Sequence, residues 1–122
     1  LLSNSMSYGH PYIMGTSGCV HDGWLVLEEY QSALDQDFFY YLLSSPFIFE
    51  QFSRLSSGST VKNLNKELVS KVSFPLPSLT EQKRISESLN RVYQSKEIFI
   101  QSLSKLQELQ SSLLQKAFRG EL

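Results

Sequence analysis

Two side chains that could do chemistry stand close together in the first quarter of the sequence. Cys19 and His21 are two residues apart, and Asp22 follows directly. Positions two apart on a strand face the same side, so a thiol nucleophile or part of a metal site is conceivable here. A metal site needs three or four ligands, and His10 is the only other histidine, with no second cysteine. A plain strand with a buried Cys19 and a polar His21 is therefore the preferred interpretation.

A second candidate is the polar segment from Ser56 to Lys66, which combines Ser, Gly, Thr, Lys and Asn. Such side chains donate hydrogen bonds to phosphates and to base edges. The segment is not a P-loop, because Gly58-Ser59-Thr60 is too short and lacks the following Lys-Ser/Thr. From composition alone, an ordinary solvated loop is the simpler explanation. Tyr8 and Trp24 could also touch a nucleic acid, but such aromatic residues more often lie in a core.

The last third of the chain carries the most regular pattern. Apolar residues recur there at alternating four- and three-residue steps, as in the seam of a coiled coil. So narrow a stripe stabilises a helix only when another helix covers it, and we therefore expect pairing. Polar Lys96 and Gln110 interrupt the stripe, and such residues usually fix register or partner choice. The predicted coiled-coil interface consists of Ile85, Leu89, Val92, Phe99, Leu103, Leu106, Leu113 and Ala117.

The purpose of this helix has two interpretations that periodicity cannot separate. It could only dimerise the chain, or it could be a spacer that holds two recognition units at a set distance. Four further apolar residues widen the face beyond a two-helix seam, which favours a larger assembly. These flanking residues are Ile98, Ile100, Leu109 and Leu114.

Length and composition limit the protein to one modest globular unit beside the helix. Of 122 residues, 41% are hydrophobic, and the net charge of -1 argues against a strongly cationic, nonspecific DNA coat. The single cysteine excludes an internal disulfide. No segment resembles a membrane span or a secretion signal, so we expect a cytoplasmic protein. The chain opens without an initiator Met, which is typical of a fragment.

The elements that must position these residues include a few short strands. We predict an extended run from Pro11 to Met14 and one or two strands from Cys19 to Glu28, around a turn at residues 21–23. Lys71 to Leu76 alternates polar and apolar residues, as a half-buried strand does. Pro75 and Pro77 would end that strand.

Capping signals predict helices between and after these strands. Asp35 or Asp37 could begin a buried helix over DFFYYLLSS. Pro46 suits the first turn of a second helix, and Asn65 can cap a short helix over residues 66–70. The second helix offers to the core Phe47, Ile48, Phe52 and Leu55.

A capping box marks the start of the long helix. Ser78 stands at the cap and Glu81 three residues later, and Gly120 is a reasonable stop signal after a helix that runs to about Phe118. The composition changes near Pro77. We therefore predict an α+β protein with a small mixed domain over 1–77 and a long coiled-coil helix over 78–119.

Two stretches of this sequence resemble a known family. They are GSTVKNLNKELVSKVSFPLPSLTEQKRI, from Gly58, and the closing run LLQKAFRGEL, from Leu113 to Leu122. Together they resemble the carboxy-terminal part of a type I restriction-modification specificity subunit, in which a polar loop leads to a capped helix, a Pro-x-Pro strand end and a long helix. The upstream HDGWLVL, from His21 to Leu27, is of the kind found in target recognition domains of that family.

This resemblance implies a non-catalytic subunit that reads one half of a split site in double-stranded DNA, with long helices as the ruler between the halves. It implies two protein partners: a methyltransferase subunit, which binds S-adenosylmethionine, and a motor-nuclease subunit for restriction. The chain itself is then expected to hold no cofactor or metal. The DNA-facing residues would be Ser59, Thr60, Lys62 and Asn63, with Lys62 on a phosphate and Asn63 on an adenine edge.

Two other classes of function compete with this interpretation. The chain could be a structural oligomerisation module, with a coiled coil that pairs two copies and a globular head that binds protein instead of DNA. An enzyme that uses Cys19 and His21 is the third alternative. Pairing of two copies through the long helix is compatible with the DNA-reading subunit and with the oligomerisation module.

Overall fold

The computed structural model describes residues 1–28, 30–56 and 63–122. The elements lie in the order β1 (Leu2–Ser3), β2 (Trp24–Leu25), α1 (Gln36–Leu43), α2 (Pro46–Leu55), α3 (Lys66–Ser70) and α4 (Leu79–Phe118). The chain divides into two compact units, an amino-terminal unit of Leu1–Ser86 and a helical unit of Glu87–Leu122. The predicted α+β class, with a small mixed domain and a long carboxy-terminal helix, is confirmed.

β1 is the centre of the small sheet. It pairs antiparallel with β2, where Leu2 lies opposite Leu25 and Ser3 opposite Trp24. Leu2 also forms an antiparallel bridge with Pro11. Within the predicted strand segment from Cys19 to Glu28, only Trp24 and Leu25 form a strand. Its partner β1 has two residues, so the ladder between the two strands can be no longer.

The predicted strand from Lys71 to Leu76 is wrong, since these residues adopt no strand. Ser73 has a different hydrogen-bond partner, the side chain of Gln51. The Gln51 amide nitrogen donates to the Ser73 carbonyl oxygen at 2.9 Å, and the Ser73 N–H donates to the Gln51 amide oxygen at 3.1 Å. A side-chain amide thus takes the place of a neighbouring strand, while Pro75 and Pro77 have no N–H to give to one.

Helices α1 to α3 begin at side-chain caps. Asp35, rather than Asp37, caps α1, because its carboxylate accepts from the Phe38 N–H at 3.0 Å. Ser45 caps α2, with Pro46 in the first turn as predicted. Asn65 caps α3 by accepting from the Leu68 N–H at 2.9 Å, and α3 covers the predicted residues 66–70. Each cap satisfies an N–H that the helix itself leaves without a partner.

The core of the amino-terminal unit joins β1 to α1, α2 and the chain before α3. Ile48 and Phe52 are fully buried as predicted, whereas Phe47 is half exposed and Leu55 is only partly buried. Gly9 packs against this core with a φ of +72°, and a Cβ there would lie 2.9 Å from Phe52 Cδ2. Only glycine fits that position without strain. The cluster consists of Leu2, Leu43, Ile48, Phe52 and Leu64.

The bounds of α4 follow from the predicted signals. The Glu81 N–H donates to Ser78 Oγ at 3.3 Å, which is one half of the capping box, while the Glu81 carboxylate binds the Arg84 guanidinium. At the other end Gly120 has a φ of +72°, and the Glu121 N–H donates to the Lys116 carbonyl oxygen at 2.9 Å. These features form a Schellman motif.

Among the described residues, no helix has the length and apolarity that a membrane span requires.

Candidate functional site

The polar segment between α2 and α3 is held at both of its ends. At the first end Ser56 is buried, and the Tyr8 hydroxyl lies 2.7 Å from its Oγ and 2.8 Å from the Phe52 carbonyl oxygen. Near the second end, two residues before Lys66, Leu64 is buried and its N–H donates to the Asn4 carbonyl oxygen at 2.8 Å. Tyr8 therefore serves the structure, as the hydrogen-bond partner that fixes where the segment begins.

The predicted DNA-facing residues lie within this segment. Ser59, Thr60 and Lys62 fall outside the described residues, and Asn63 is exposed directly before the buried Leu64. An exposed amide beside a fixed backbone position is suited to base reading, because its reach is limited by the anchor.

Lys66 is a further candidate, which was not among the predicted DNA-facing residues. It is exposed in the first turn of α3, three residues after Asn63, and the Asn65 cap fixes the backbone next to it. Asn65 itself uses its side-chain oxygen on the Leu68 N–H. The available signal was position, since Lys66 closes the same polar segment and follows a capping residue.

The charges of the chain are divided along the sequence. All 11 Lys and Arg residues lie at or after Arg54, whereas half of the 12 acidic residues precede it. Arg54 pairs with Glu50 at 3.2 Å and Lys71 with Glu67 at 2.7 Å, and the Lys71 ammonium holds the pKa of Glu67 below its ordinary value. Two further lysines of the amino-terminal unit are exposed: Lys66 at the end of the polar segment and Lys83 in the first turns of α4.

Cys19 and His21 have ordinary surroundings. Cys19 is exposed, so its predicted burial is wrong. The His21 Nδ1 accepts a hydrogen bond from the Gly23 N–H at 2.9 Å, which makes His21 part of the predicted turn. In the part of the chain that the structure describes, no three His, Cys, Asp or Glu side chains converge as metal ligands would.

The predicted seam of α4 lies along one face of the helix. Ile85 and Leu89 are half buried, and Ala117 is exposed. The larger seam residues of the helical unit are 45% to 75% exposed: Val92, Phe99, Leu103, Leu106 and Leu113. The flanking residues Ile98, Ile100, Leu109 and Leu114 are about as exposed, at 49% to 64%.

Each polar interruption of the seam lies within a shallow apolar groove. Lys96 shares one with Val92 and Phe99, and its ammonium lies 5.7 Å from the centre of the Tyr93 ring. Gln110 shares the other groove with Leu106 and Leu113. The helical unit therefore presents an apolar stripe with one cation and one amide at fixed points.

A family model described as type I restriction modification DNA specificity domain matches residues 2–110. The match includes the polar segment and the α4 seam from Ile85 to Leu106. No solved structure matches the chain. Because the family model covers most of the sequence, this chain belongs to the type I restriction modification DNA specificity family, and its role is DNA sequence specificity in type I restriction-modification.

Proposed function

We propose that this chain reads one half of a split DNA target and that α4 docks the methyltransferase subunit of a type I restriction-modification enzyme. The observation that carries the proposal is the apolar stripe of the helical unit, which stands 45% to 75% exposed in a protein of a DNA specificity family. DNA reading by the amino-terminal unit leaves this stripe unused. A docking role accounts for it.

The energetics of the stripe favour a partner. Burying a large apolar side chain contributes about 1.5–3 kcal/mol. From Val92 to Leu113 the stripe runs for about 32 Å at ~1.5 Å per residue, which is long enough for several seam layers. Covering Phe99, Leu103 and Leu106 alone would stabilise a complex by several kcal/mol before the cost of association.

The stripe is wide enough for more than one neighbour. A second copy could pair antiparallel with it, and so could another helix of the same complex. Ile100 and Leu114 border one side of the seam and would remain to be covered after the first helix is in place. We assign that remaining surface to the methyltransferase subunit. Lys96 and Gln110 then select register, because an unpaired cation or amide in the seam disfavours other alignments.

DNA reading is assigned to the polar segment from Ser56 to Lys66. Ser59, Thr60 and Asn63 supply short polar groups, and Lys62 and Lys66 supply cations. Lysines on phosphates position the protein, whereas Asn63 can form two hydrogen bonds with an adenine edge. What supports this assignment is that both ends of the segment are anchored in the core at Ser56 and Leu64.

Catalysis belongs to the partners in this proposal. The methyltransferase subunit binds S-adenosylmethionine and transfers its methyl group, and the motor-nuclease subunit cleaves DNA that lacks the methyl mark. This chain decides where they act. It needs no cofactor for that role, because hydrogen bonds and shape are sufficient to read a base sequence.

The test is capture of the methyltransferase subunit encoded in the source genome, with the full chain as bait. The double variant Leu103→Asp with Leu106→Asp places two charges in the stripe and should abolish capture. Gln101→Asp with Ser104→Asp is the matched control, since both residues are exposed on the polar side of α4. The control should capture the subunit as the wild type does.

Each outcome bears on the proposal. Capture by the wild type and the control, with none by the stripe variant, supports docking through α4. Equal capture by all three proteins would place docking elsewhere on the chain. Capture by none of them, with self-association of the wild type, would favour an oligomerisation module instead.

A further inference from the structure

The turn at residues 21–23 holds the His21 ring in one orientation. The Gly23 N–H donates to His21 Nδ1 at 2.9 Å, and the Trp24 N–H donates to the His21 carbonyl oxygen at 3.2 Å. A Cβ at Gly23 would meet atoms of the His21 ring, so the ring lies directly against this glycine. The Trp24 ring packs beside it, with the two ring centres 6.3 Å apart. The imidazole is therefore held in place although its side chain is 74% exposed.

This orientation gives the second ring nitrogen of His21 a defined role. A ring nitrogen that accepts a hydrogen bond carries no proton, so the neutral imidazole holds its proton on Nε2. Among the described residues, Nε2 has no hydrogen-bond partner. Asp22 follows with a fully exposed carboxylate, and its Oδ1 lies 3.8 Å from His21 Nδ1. The turn therefore presents a hydrogen-bond donor and an acceptor on neighbouring side chains.

Asn4 joins this turn to the polar segment. Its N–H donates to the Gly23 carbonyl oxygen at 3.1 Å, and its side-chain nitrogen donates to the Asp22 carbonyl oxygen at 2.9 Å. Its own carbonyl oxygen accepts from the Leu64 N–H at 2.8 Å. The Gly23 carbonyl oxygen and the Leu64 nitrogen are therefore no more than about 10 Å apart. The exposed Asn63, directly before Leu64, is thus a near neighbour of the turn.

The charge of the turn favours a base over a phosphate as its ligand. The chain has no Lys or Arg before Arg54, and the Asp22 carboxylate would repel a phosphate group. In the major groove, guanine presents the acceptors N7 and O6, and its partner cytosine presents the N4 amine as a donor. A carboxylate is a partner of the cytosine amine, whereas an amide such as that of Asn63 matches adenine. The pair of His21 and Asp22 is therefore complementary to a G·C edge.

We infer that His21 and Asp22 read a G·C base pair in the same half of the DNA target as Asn63. The His21 Nε2–H donates to guanine, and the Asp22 carboxylate accepts from the cytosine amine. This inference rests on the proposed function, in which the polar segment reads DNA. Gly23 and Asn4 are positioning residues that touch no DNA. Gly23 leaves room for the His21 ring, and Asn4 sets the distance between the turn and Asn63.

The experiment uses the full chain in complex with its methyltransferase subunit and the DNA target found by mapping methylated positions. Dissociation constants are measured for the natural duplex and for duplexes with one changed base pair at each recognised position. His21→Asn keeps an oxygen that can accept from the Gly23 N–H, as in an Asx turn, and removes the Nε2–H donor. His10→Asn makes the same change at the other histidine, which is also exposed, and is the control.

We expect His21→Asn to lower discrimination at one G·C pair about tenfold and to leave the other positions unchanged. Asp22→Ala removes the acceptor and should relax the same pair, whereas Asn63→Ala should relax a different position in the same half. His10→Asn should bind as the wild type does. Relaxation of an A·T pair by His21→Asn would overturn the assigned base pair.

Two results separate this inference from the proposed function. Unchanged discrimination in His21→Asn, together with one relaxed position in Asn63→Ala, would overturn the inference and leave the proposed function intact. A wild-type complex without sequence preference would overturn both. If Asp22→Ala tightened binding to all duplexes alike and relaxed none of the positions, Asp22 would be a charge near DNA and not a reader of bases.

A further variant tests the position of the His21 ring without removing any of its atoms. Gly23 lies outside the left-handed region of φ, so its backbone accepts alanine. The three atoms nearest to an added Cβ all belong to the His21 ring, so Gly23→Ala should displace that ring and relax the same G·C pair. In a His21→Asn background, Gly23→Ala should cause no further loss of discrimination.

This double variant also keeps the inference testable if one protein folds poorly. A poorly folded His21→Asn chain would lose affinity for all duplexes alike, which thermal unfolding would reveal, and Gly23→Ala alone would then decide. Full discrimination in Gly23→Ala would contradict reading by a ring held against Gly23. An additional loss in the His21→Asn background would show that Gly23→Ala acts through another part of the chain, which would contradict the role of the His21 ring.

Discussion

The amino-terminal unit buries side chains of types that the helical unit leaves exposed. Phe52 on α2 is fully buried, whereas Phe99 on α4 is 75% exposed. Polar groups differ too, since Gln82 is buried with every amide group bonded, and Gln110 lies among exposed leucines. The amino-terminal unit thus gains its stability from its own contacts. The helical unit carries an apolar surface of the kind that a partner buries.

We expect the largest difference in stability between the two units when one phenylalanine in each is truncated to alanine. Phe52→Ala should destabilise the amino-terminal unit by about 3–5 kcal/mol, because it opens a cavity in the core. Phe99→Ala removes the same atoms from an exposed position and should change the stability of the isolated chain by less than about 0.5 kcal/mol. Denaturant unfolding of both variants measures the difference. Equal losses would mean that Phe99 is already buried in the isolated protein.

Alanine substitutions at two glycines test the packing of the amino-terminal unit. Gly9→Ala should cost about 2–3 kcal/mol, because it combines a left-handed backbone with a Cβ 2.9 Å from Phe52. Gly15→Ala is the control, since a Cβ at Gly15 meets no atom within 4 Å. Thermal unfolding of the two variants tests the expectation. If both alanines were tolerated alike, the packing of residues 8–10 on α2 would be in error.

DNA binding by the complete complex separates the two roles assigned near the polar segment. Asn63→Ala should cost about 1–3 kcal/mol on the natural target and relax preference at one base pair. Lys66→Ala should weaken binding on all sequences alike and reduce the slope of log K against log salt by about 1. Titrations at several salt concentrations give both quantities. Uniform weakening by Asn63→Ala would reassign it to the phosphate backbone.

The smallest expected effect is a change in how the stability of the protein depends on pH. Hydrogen bonding to Lys71 lowers the pKa of Glu67 in the folded protein, so the pair stabilises α3 above the ordinary carboxyl pKa and loses that contribution as pH falls through the lowered value. Glu67→Gln should therefore flatten the loss of thermal stability in acid slightly. In a Lys71→Met background the same change should have no further effect. An equal effect in both backgrounds would exclude the Glu67–Lys71 pair as its cause.

Much of the fold could be predicted because its signals are local. The caps at Asn65 and Ser78, the proline at Pro46 and the stop at Gly120 each act within a few residues, and the helices begin and end where these predict. The strand predicted from Lys71 failed because Gln51, more than 20 residues away, supplies the partner of Ser73. No periodicity reveals such a contact.

In the candidate site, too, local features were predictable from the sequence and long-range contacts were not. The composition of the polar segment and the resemblance to a family led to Asn63, which is exposed, and its contact with DNA stays a prediction. The anchors of that segment were not predictable, because the partners of Ser56 and Leu64 are Tyr8 and Asn4, far away in sequence. The burial of Gln82 was hidden for a similar reason. Its motif marks a helix start, but its partners Ala33 and Asp35 lie some 50 residues earlier.

The most direct test of the central claim is a map of DNA methylation by the methyltransferase subunit with and without this chain. The account predicts that methylated positions share a split sequence motif only when the chain is present, and that Asn63→Ala alters one half of that motif. The same motif without the chain, or a motif indifferent to it, would contradict the claim that this protein determines the DNA sequence at which the enzyme acts.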